Sequence, residues 1–91
     1  MRAEGTFEIV NERGLHARAA TKLVQTANSY PCEVTMFGVD PDGVNAKSVM
    51  GVLLLCGAKG TIVRVVADGE RAADCVQAIG ELIAARFGEP E

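Results

Sequence analysis

The chain has no tryptophan, one tyrosine and a single histidine. The scarcity of aromatics removes the stacking surfaces that single-stranded nucleic-acid binders use. A net charge of −3 removes the broad basic face that duplex binders need. Nucleic acid is therefore not an expected partner. Long apolar runs are missing too. The longest, Val52–Cys56, falls far short of the ~18 residues of a membrane span, so no membrane insertion is expected. The opening Met1-Arg2-Ala3-Glu4-Gly5-Thr6 lacks the apolar core of a secretory signal, which makes the cytoplasm the expected location. Cys32, Cys56 and Cys75 are odd in number, widely spaced and set among apolar neighbours, with no C-x-x-C or C-x-x-H pair. They predict buried, reduced thiols in place of a disulfide framework or a zinc site. No metal and no cofactor is expected.

What is present fits one domain over residues 1–91. A chain of this length buries roughly 60–70% of its unfolded surface, enough for a thin core without staples. Residues 5–11 alternate as a half-buried strand with Phe7 and Ile9 inward. A helix from about 17 to 28 follows, with Ala20, Leu23, Val24 and Ala27 on one face, and Pro31 stops it. Residues 32–37 alternate again, with Cys32, Val34 and Met36 on one side. Gly38-Val39-Asp40-Pro41-Asp42-Gly43 is turn chemistry leading into a short strand near 44–46. Ser48 is a suitable N-cap for a second helix reaching about Leu54 or Leu55. Residues 61–67 form a β-branched strand, and a final helix from about 70 to 86 carries the stripe Ala72, Cys75, Val76, Ile79, Leu82 and Ile83. Gly88-Glu89-Pro90-Glu91 reads as a frayed tail. The order βαββαβα predicts an α+β fold, a four-stranded antiparallel sheet with three helices on one face.

His16 stands in Gly14-Leu15-His16-Ala17-Arg18, between a loop and the first helical run, so its imidazole is expected at or next to a helix N-cap. The first amides of a helix lack intrahelical partners and can hold an anion. A neutral imidazole is a good nucleophile, and an ordinary pKa of about 6.5 leaves it mostly neutral near pH 7. A phosphoryl group on that ring would find the amides of Ala17 and Arg18, a macrodipole worth roughly 0.3–1 kcal/mol, and the planar donor fork of Arg18. Gly14 would let the backbone turn sharply enough to present the ring. The pattern suits a group that accepts and releases a phosphoryl. An isolated histidine near a helix start also reads as a surface residue or a weak cap, and position alone does not separate the two. No second catalytic residue accompanies it, so an independent enzyme is not expected.

Charge is laid down unevenly. Acidic residues dominate from Asp68 onward, whereas Arg13, Arg18, Lys22 and Lys47 can make a local positive patch on an acidic protein.

Gly14-Leu15-His16-Ala17-Arg18 closely resembles the active-site segment of the HPr family, the histidine phosphocarriers of the bacterial phosphoenolpyruvate-dependent phosphotransferase system. The likeness continues at Asn45-Ala46-Lys47-Ser48-Val49-Met50-Gly51, at Gly57-Ala58-Lys59-Gly60-Thr61, and through Asp68-Gly69-Glu70, covering essentially residues 4–87. The resemblance implies an open-faced β-sandwich. It implies a carrier that takes a phosphoryl from Enzyme I on Nδ1 of His16, with Arg18 as companion, and passes it to sugar-specific Enzyme II A-domains. It implies that Ser48 matches a serine phosphorylated in many members by an HPr kinase/phosphorylase. It also implies a docking face with Val49, Met50 and Leu53 as its greasy part and Thr21, Lys22 and Lys47 around it, on a monomer. Two departures stand out: Ala19 replaces the usual proline after the arginine, and the 38–43 loop is about a residue longer. Ala19 keeps open a regulatory relative, nitrogen-related or signalling, with the same histidine chemistry and other partners.

Overall fold

Period-two alternation along four segments builds one antiparallel sheet. The computed structural model describes residues 1–39 and 41–91; Asp40, inside the expected 38–43 turn, lies outside the described residues. The elements in chain order are β1 (Arg2–Glu8), α1 (Ala17–Asn28), β2 (Glu33–Phe37), β3 (Val44–Asn45), α2 (Val49–Leu54), β4 (Ile62–Asp68) and α3 (Ala72–Ala84). The sheet runs β1-β4-β2-β3. Its centre is β4, paired with β1 from Arg2↔Asp68 to Glu8↔Ile62 and with β2 from Glu33↔Asp68 to Phe37↔Arg64. Short β3 closes the far edge through Thr35↔Asn45 and Met36↔Val44.

The two faces of the sheet differ because side chains alternate. Val63, Val65 and Ala67 of β4 and Val34 and Met36 of β2 are buried, while Ile62, Arg64 and Asp68 are exposed. The helices cover the buried face. Leu23, Val24 and Ala27 of α1, Val52 of α2, and Cys75, Val76, Ile79 and Ile83 of α3 meet the strands in one continuous core. This is the open-faced α+β sandwich expected from the element order.

Four local expectations need correction. The first strand occupies Arg2–Glu8, earlier than the 5–11 read from alternation. Pairing with all seven residues of β4 draws it toward the N-terminus, and beyond it Ile9 makes only loop hydrogen bonds, to Thr61 and Gly60. The last helix is Ala72–Ala84, shorter than residues 70–86. Arg71 takes a left-handed backbone (φ 61°) before it, and Arg86 and Phe87 take left-handed backbones (φ 57° and 55°) after it, conformations that cannot continue a right-handed helix. The tail read as frayed is instead folded back on the body: Phe87 before it is fully buried, Glu89 bonds Asn11 and His16, and the Glu91 carbonyl accepts from the Glu12 amide.

The fourth correction concerns the cysteines. Cys32 and Cys75 are buried as expected, but Cys56 is exposed. It follows the end of α2 with φ 52°, and that left-handed turn directs it away from the apolar run to which it belongs in sequence. Burial, reinforced by the neighbouring Cys32 thiol, pushes the Cys75 thiol up to about 12. Thiolates are the reactive form. Iodoacetamide on the folded protein near neutral pH is therefore expected to modify Cys56 and spare Cys75 until denaturant is added. Peptide mapping checks this, and early labelling of Cys75 would contradict the packing described.

Candidate functional site

Between β1 and α1 the chain forms a loop pinned from two sides. Leu15 is nearly buried, and its amide donates to the Gly57 carbonyl at 2.7 Å. Gly14 donates to the Asn11 carbonyl at 3.1 Å and has φ +65°. A Cβ at Gly14 would stand 2.3 Å from the Gly57 carbonyl oxygen, so the two loops meet only because position 14 has no side chain. His16 leaves this pedestal in extended conformation and becomes the N-cap of α1, its own carbonyl accepting from Ala20 at 2.8 Å.

Both ring nitrogens of His16 are engaged. Nδ1 accepts from the Arg18 amide at 3.3 Å, the contact that caps the helix. Nε2 meets the Glu89 carboxylate. An amide can only donate and an ionised carboxylate can only accept, so the partners assign the proton to Nε2 and leave the lone pair on Nδ1. The imidazole remains reachable, with its side chain 25% exposed against 13% for Glu89.

Glu89 comes from the far end of the chain. Its other oxygen accepts from Asn11 Nδ2 at 3.0 Å, and the same amide nitrogen donates to the Gly14 carbonyl at 2.9 Å. Asn11 is fully buried, and its Oδ1 has no partner among the described residues. Leaving such an atom unsatisfied costs about 1–3 kcal/mol, so the amide orientation is dictated by its two acceptors. Several contacts carry the tail to this point. The Lys22 ammonium donates to the Phe87 carbonyl at 2.6 Å, the Glu12 amide to the Glu91 carbonyl at 3.1 Å, and the Arg86 guanidinium to the Pro90 carbonyl at 3.4 Å. Between tail and loop lies a cleft of about 220 Å³ lined by Glu12, Arg13, Arg18, Glu89, Pro90 and Glu91. Cationic Arg13 and Arg18 therefore share one opening with acidic Glu12, Glu89 and Glu91.

The remaining residues singled out in the sequence are distributed around this centre. Ala17 and Arg18 open α1, both exposed. Thr21 is exposed, its hydroxyl donating to the Ala17 carbonyl at 2.8 Å. The Lys22 ammonium is held by the tail, and the Lys47 ammonium donates to the Tyr30 carbonyl at 2.7 Å. Ser48 is the N-cap of α2, its hydroxyl accepting from the Gly51 amide at 3.1 Å. Met50 and Leu54 stand out in solvent, Val49 and Leu53 are half-buried, and Val52 fills the core.

Asn11 and Glu89 were not singled out in the sequence. Asparagine in a loop and glutamate in a polar tail carry no pattern of their own. The signal that bears on them is Phe87, which continues the spacing Ile79, Ile83 by one more turn and marks the tail as anchored.

The fold is a small α+β sandwich whose first helix is capped by a partly exposed histidine, and the comparisons give the family. The family model for the phosphotransferase-system HPr component phosphorylation site matches residues 3–85. The chain belongs to the HPr family, the phosphocarriers of the phosphotransferase system. It is 43% identical over 86 residues to phosphocarrier protein HPr of Neisseria meningitidis, covering 94% of this chain and 96% of that one. It is 44% identical over 84 residues to phosphocarrier protein HPr of Pseudomonas aeruginosa, covering 91% and 92%. The crystal structure of HPr from Thermoanaerobacter tengcongensis superposes with a TM-score of 0.92 at 38% identity, covering 98% of this chain and 99% of that one. Among the described residues no helix is long and apolar enough to cross a membrane.

The Glu89 carboxyl is held below its ordinary 4.5, chiefly by the His16 hydrogen bond, which outweighs the opposing effect of burial; Asn11 and the charges of His16 and Arg13 act in the same lowering direction. A carboxyl whose folded pKa is depressed stabilises the fold above its unfolded value, and that contribution is lost as pH falls through the folded pKa. The tail contacts are thus expected to persist at neutral pH and to break below pH 4.5. Amide chemical shifts of Gly88 and Glu89 in an acid titration check this; a midpoint at or above 4.5 would contradict it.

Proposed function

We propose that this domain, residues 1–91 acting as a monomer, accepts a phosphoryl group from phospho-Enzyme I on Nδ1 of His16 and passes it to Enzyme II A-domains in sugar uptake. The observation that carries the reading is the pairing of an Nδ1 lone pair with the open end of a helix, on a ring whose other nitrogen already holds its proton. In the forward step the Nδ1 lone pair forms a bond to phosphorus while the bond to the donor's leaving group breaks. The Arg18 amide that now donates to Nδ1, with the neighbouring Ala17 amide, turns to the phosphoryl oxygens, and the helix dipole favours the new anion. Arg18 adds its guanidinium fork. The reverse step gives the phosphoryl away with the ring unchanged, so the protein is a carrier and not an independent enzyme. Family membership supports this chemistry, and the partly exposed ring supports access by a partner.

Docking needs a surface that binds briefly. Exposed Met50 and Leu54, with half-buried Val49 and Leu53, supply an apolar patch; Arg18 and Thr21 supply polar contacts beside it. Lys22 and Lys47 add to the local positive field, each giving one ammonium donor to a backbone carbonyl. Such an interface is small and releases quickly, as a carrier requires. Ser48 regulates uptake when phosphorylated by an HPr kinase/phosphorylase: a phosphate at an N-cap is compatible with the helix while adding negative charge next to the apolar patch.

Two measurements test these assignments. Incubation with phosphoenolpyruvate and Enzyme I is expected to give an acid-labile label on wild-type protein and none on His16→Ala; full labelling of the variant would end the proposal. Ser48→Asp is expected to slow uptake at His16 while leaving the thermal unfolding transition cooperative. Unchanged uptake kinetics would remove Ser48 from the account.

A further inference from the structure

The tail residue that grips His16 is not explained by capping, docking or core packing. Glu89 sits 73 positions from His16 in sequence and is brought to it by a tail in which Phe87 is buried and the Lys22 ammonium holds the Phe87 carbonyl. Its carboxylate is divided between two donors, His16 Nε2 and Asn11 Nδ2. Asn11 in turn is tied to Gly14, two residues before the histidine. Three chain segments, the β1–α1 loop, the α1 start and the C-terminal tail, thereby close a hydrogen-bonded ring around one imidazole.

We propose that Glu89 and Asn11 are a positioning pair for His16, holding the proton on Nε2 so that the Nδ1 lone pair is always the one presented for transfer. This deepens the carrier reading and rests on it. The electron count gives the pair a second part in the step. When neutral Nδ1 bonds to phosphorus, its lone pair becomes the N–P bond and the ring, still carrying the Nε2 proton, takes up positive charge. That charge appears on the far side of the ring, against the Glu89 carboxylate, and is withdrawn when the phosphoryl leaves. A fixed carboxylate there stabilises the ring as it gains charge during uptake, the step whose rate the pair is expected to raise. Asn11 aims that carboxylate, since its amide donates to the oxygen that His16 does not use. Glu89 touches neither the phosphoryl nor the attacking nitrogen, so it acts through His16.

The experiment uses the full-length chain with 15N-labelled histidine, wild type against Glu89→Gln and Glu89→Ala. Glu89 lies in the tail, and unchanged backbone amide spectra outside residues 86–91 and the 11–18 segment that Glu89 touches establish that the variants fold. Long-range proton–nitrogen spectra at neutral pH are expected to show wild-type Nδ1 as the unprotonated nitrogen. Glu89→Ala is expected to move both ring nitrogens toward an averaged pair of tautomers, with Glu89→Gln between. Phosphoryl uptake from the Enzyme I system is expected to lose about tenfold in kcat for Glu89→Ala, the equivalent of one charge-assisted hydrogen bond, with KM changed less than about twofold. Ring nitrogens of Glu89→Ala identical to wild type would overturn the pair, and so would a shifted tautomer with unchanged kcat. Failure of wild-type labelling at His16 would instead remove the carrier reading, and the tautomer spectra would still decide whether Glu89 sets the ring.

Discussion

The geometry of the candidate site turns on one contact, the hydrogen bond from the Arg18 amide to Nδ1 of His16. It makes a histidine do the work of the serine, threonine, aspartate or asparagine that usually caps a helix. The arrangement turns an orphan backbone donor toward Nδ1, the nitrogen proposed here to take the phosphoryl. At 3.3 Å the cap is a long hydrogen bond, and the proposed transfer asks the same amide to pass from the ring to an incoming oxygen. The second helix start shows the contrast, where Ser48 caps with a hydroxyl at 3.1 Å in the common manner.

Behind that contact the preceding loop is held on two sides. The Gly14 backbone presses on Gly57 at a distance no side chain would allow, and Leu15 buries its side chain while bonding to the same carbonyl. The cap is thereby referenced to the sheet, since the 57–61 loop leads directly into central strand β4. Rigidity is thus supplied by backbone contacts behind the ring, and the ring itself stays partly in solvent. A carrier needs both, because a buried imidazole meets no partner and a free one pays an orientational cost at every transfer.

The positive patch read from the sequence is also partly diverted inward. Lys22 and Lys47 are half-buried, and each ammonium bonds a backbone carbonyl, one in the tail and one at Tyr30. Their long side chains act as struts as well as charges. Arg18 and Arg13 remain on the cleft that the acidic tail borders. Glu89 and Glu91 line the same cleft, so the charges there are of both signs.

Much of the fold was legible because it depends on local periodicity. Alternation in Val63, Val65 and Ala67, helical spacing in Leu23, Val24 and Ala27, and the serine before Val49 each reflect constraints acting within a few residues. The position of His16 at a helix start was legible for the same reason. What the tertiary structure alone decided are the contacts between distant segments: Glu89 on His16, Asn11 beneath both, Lys22 on the Phe87 carbonyl, and Cys56 turned outward. None leaves a periodic trace, because a hydrogen bond between residues 11 and 89 depends on how layers stack and where three consecutive positive φ angles turn the chain back. By itself the sequence determined which face of each element is apolar and which residue type begins the first helix. Only packing could determine what stands opposite each ring nitrogen, since that partner is chosen by distance in space and not by distance along the chain.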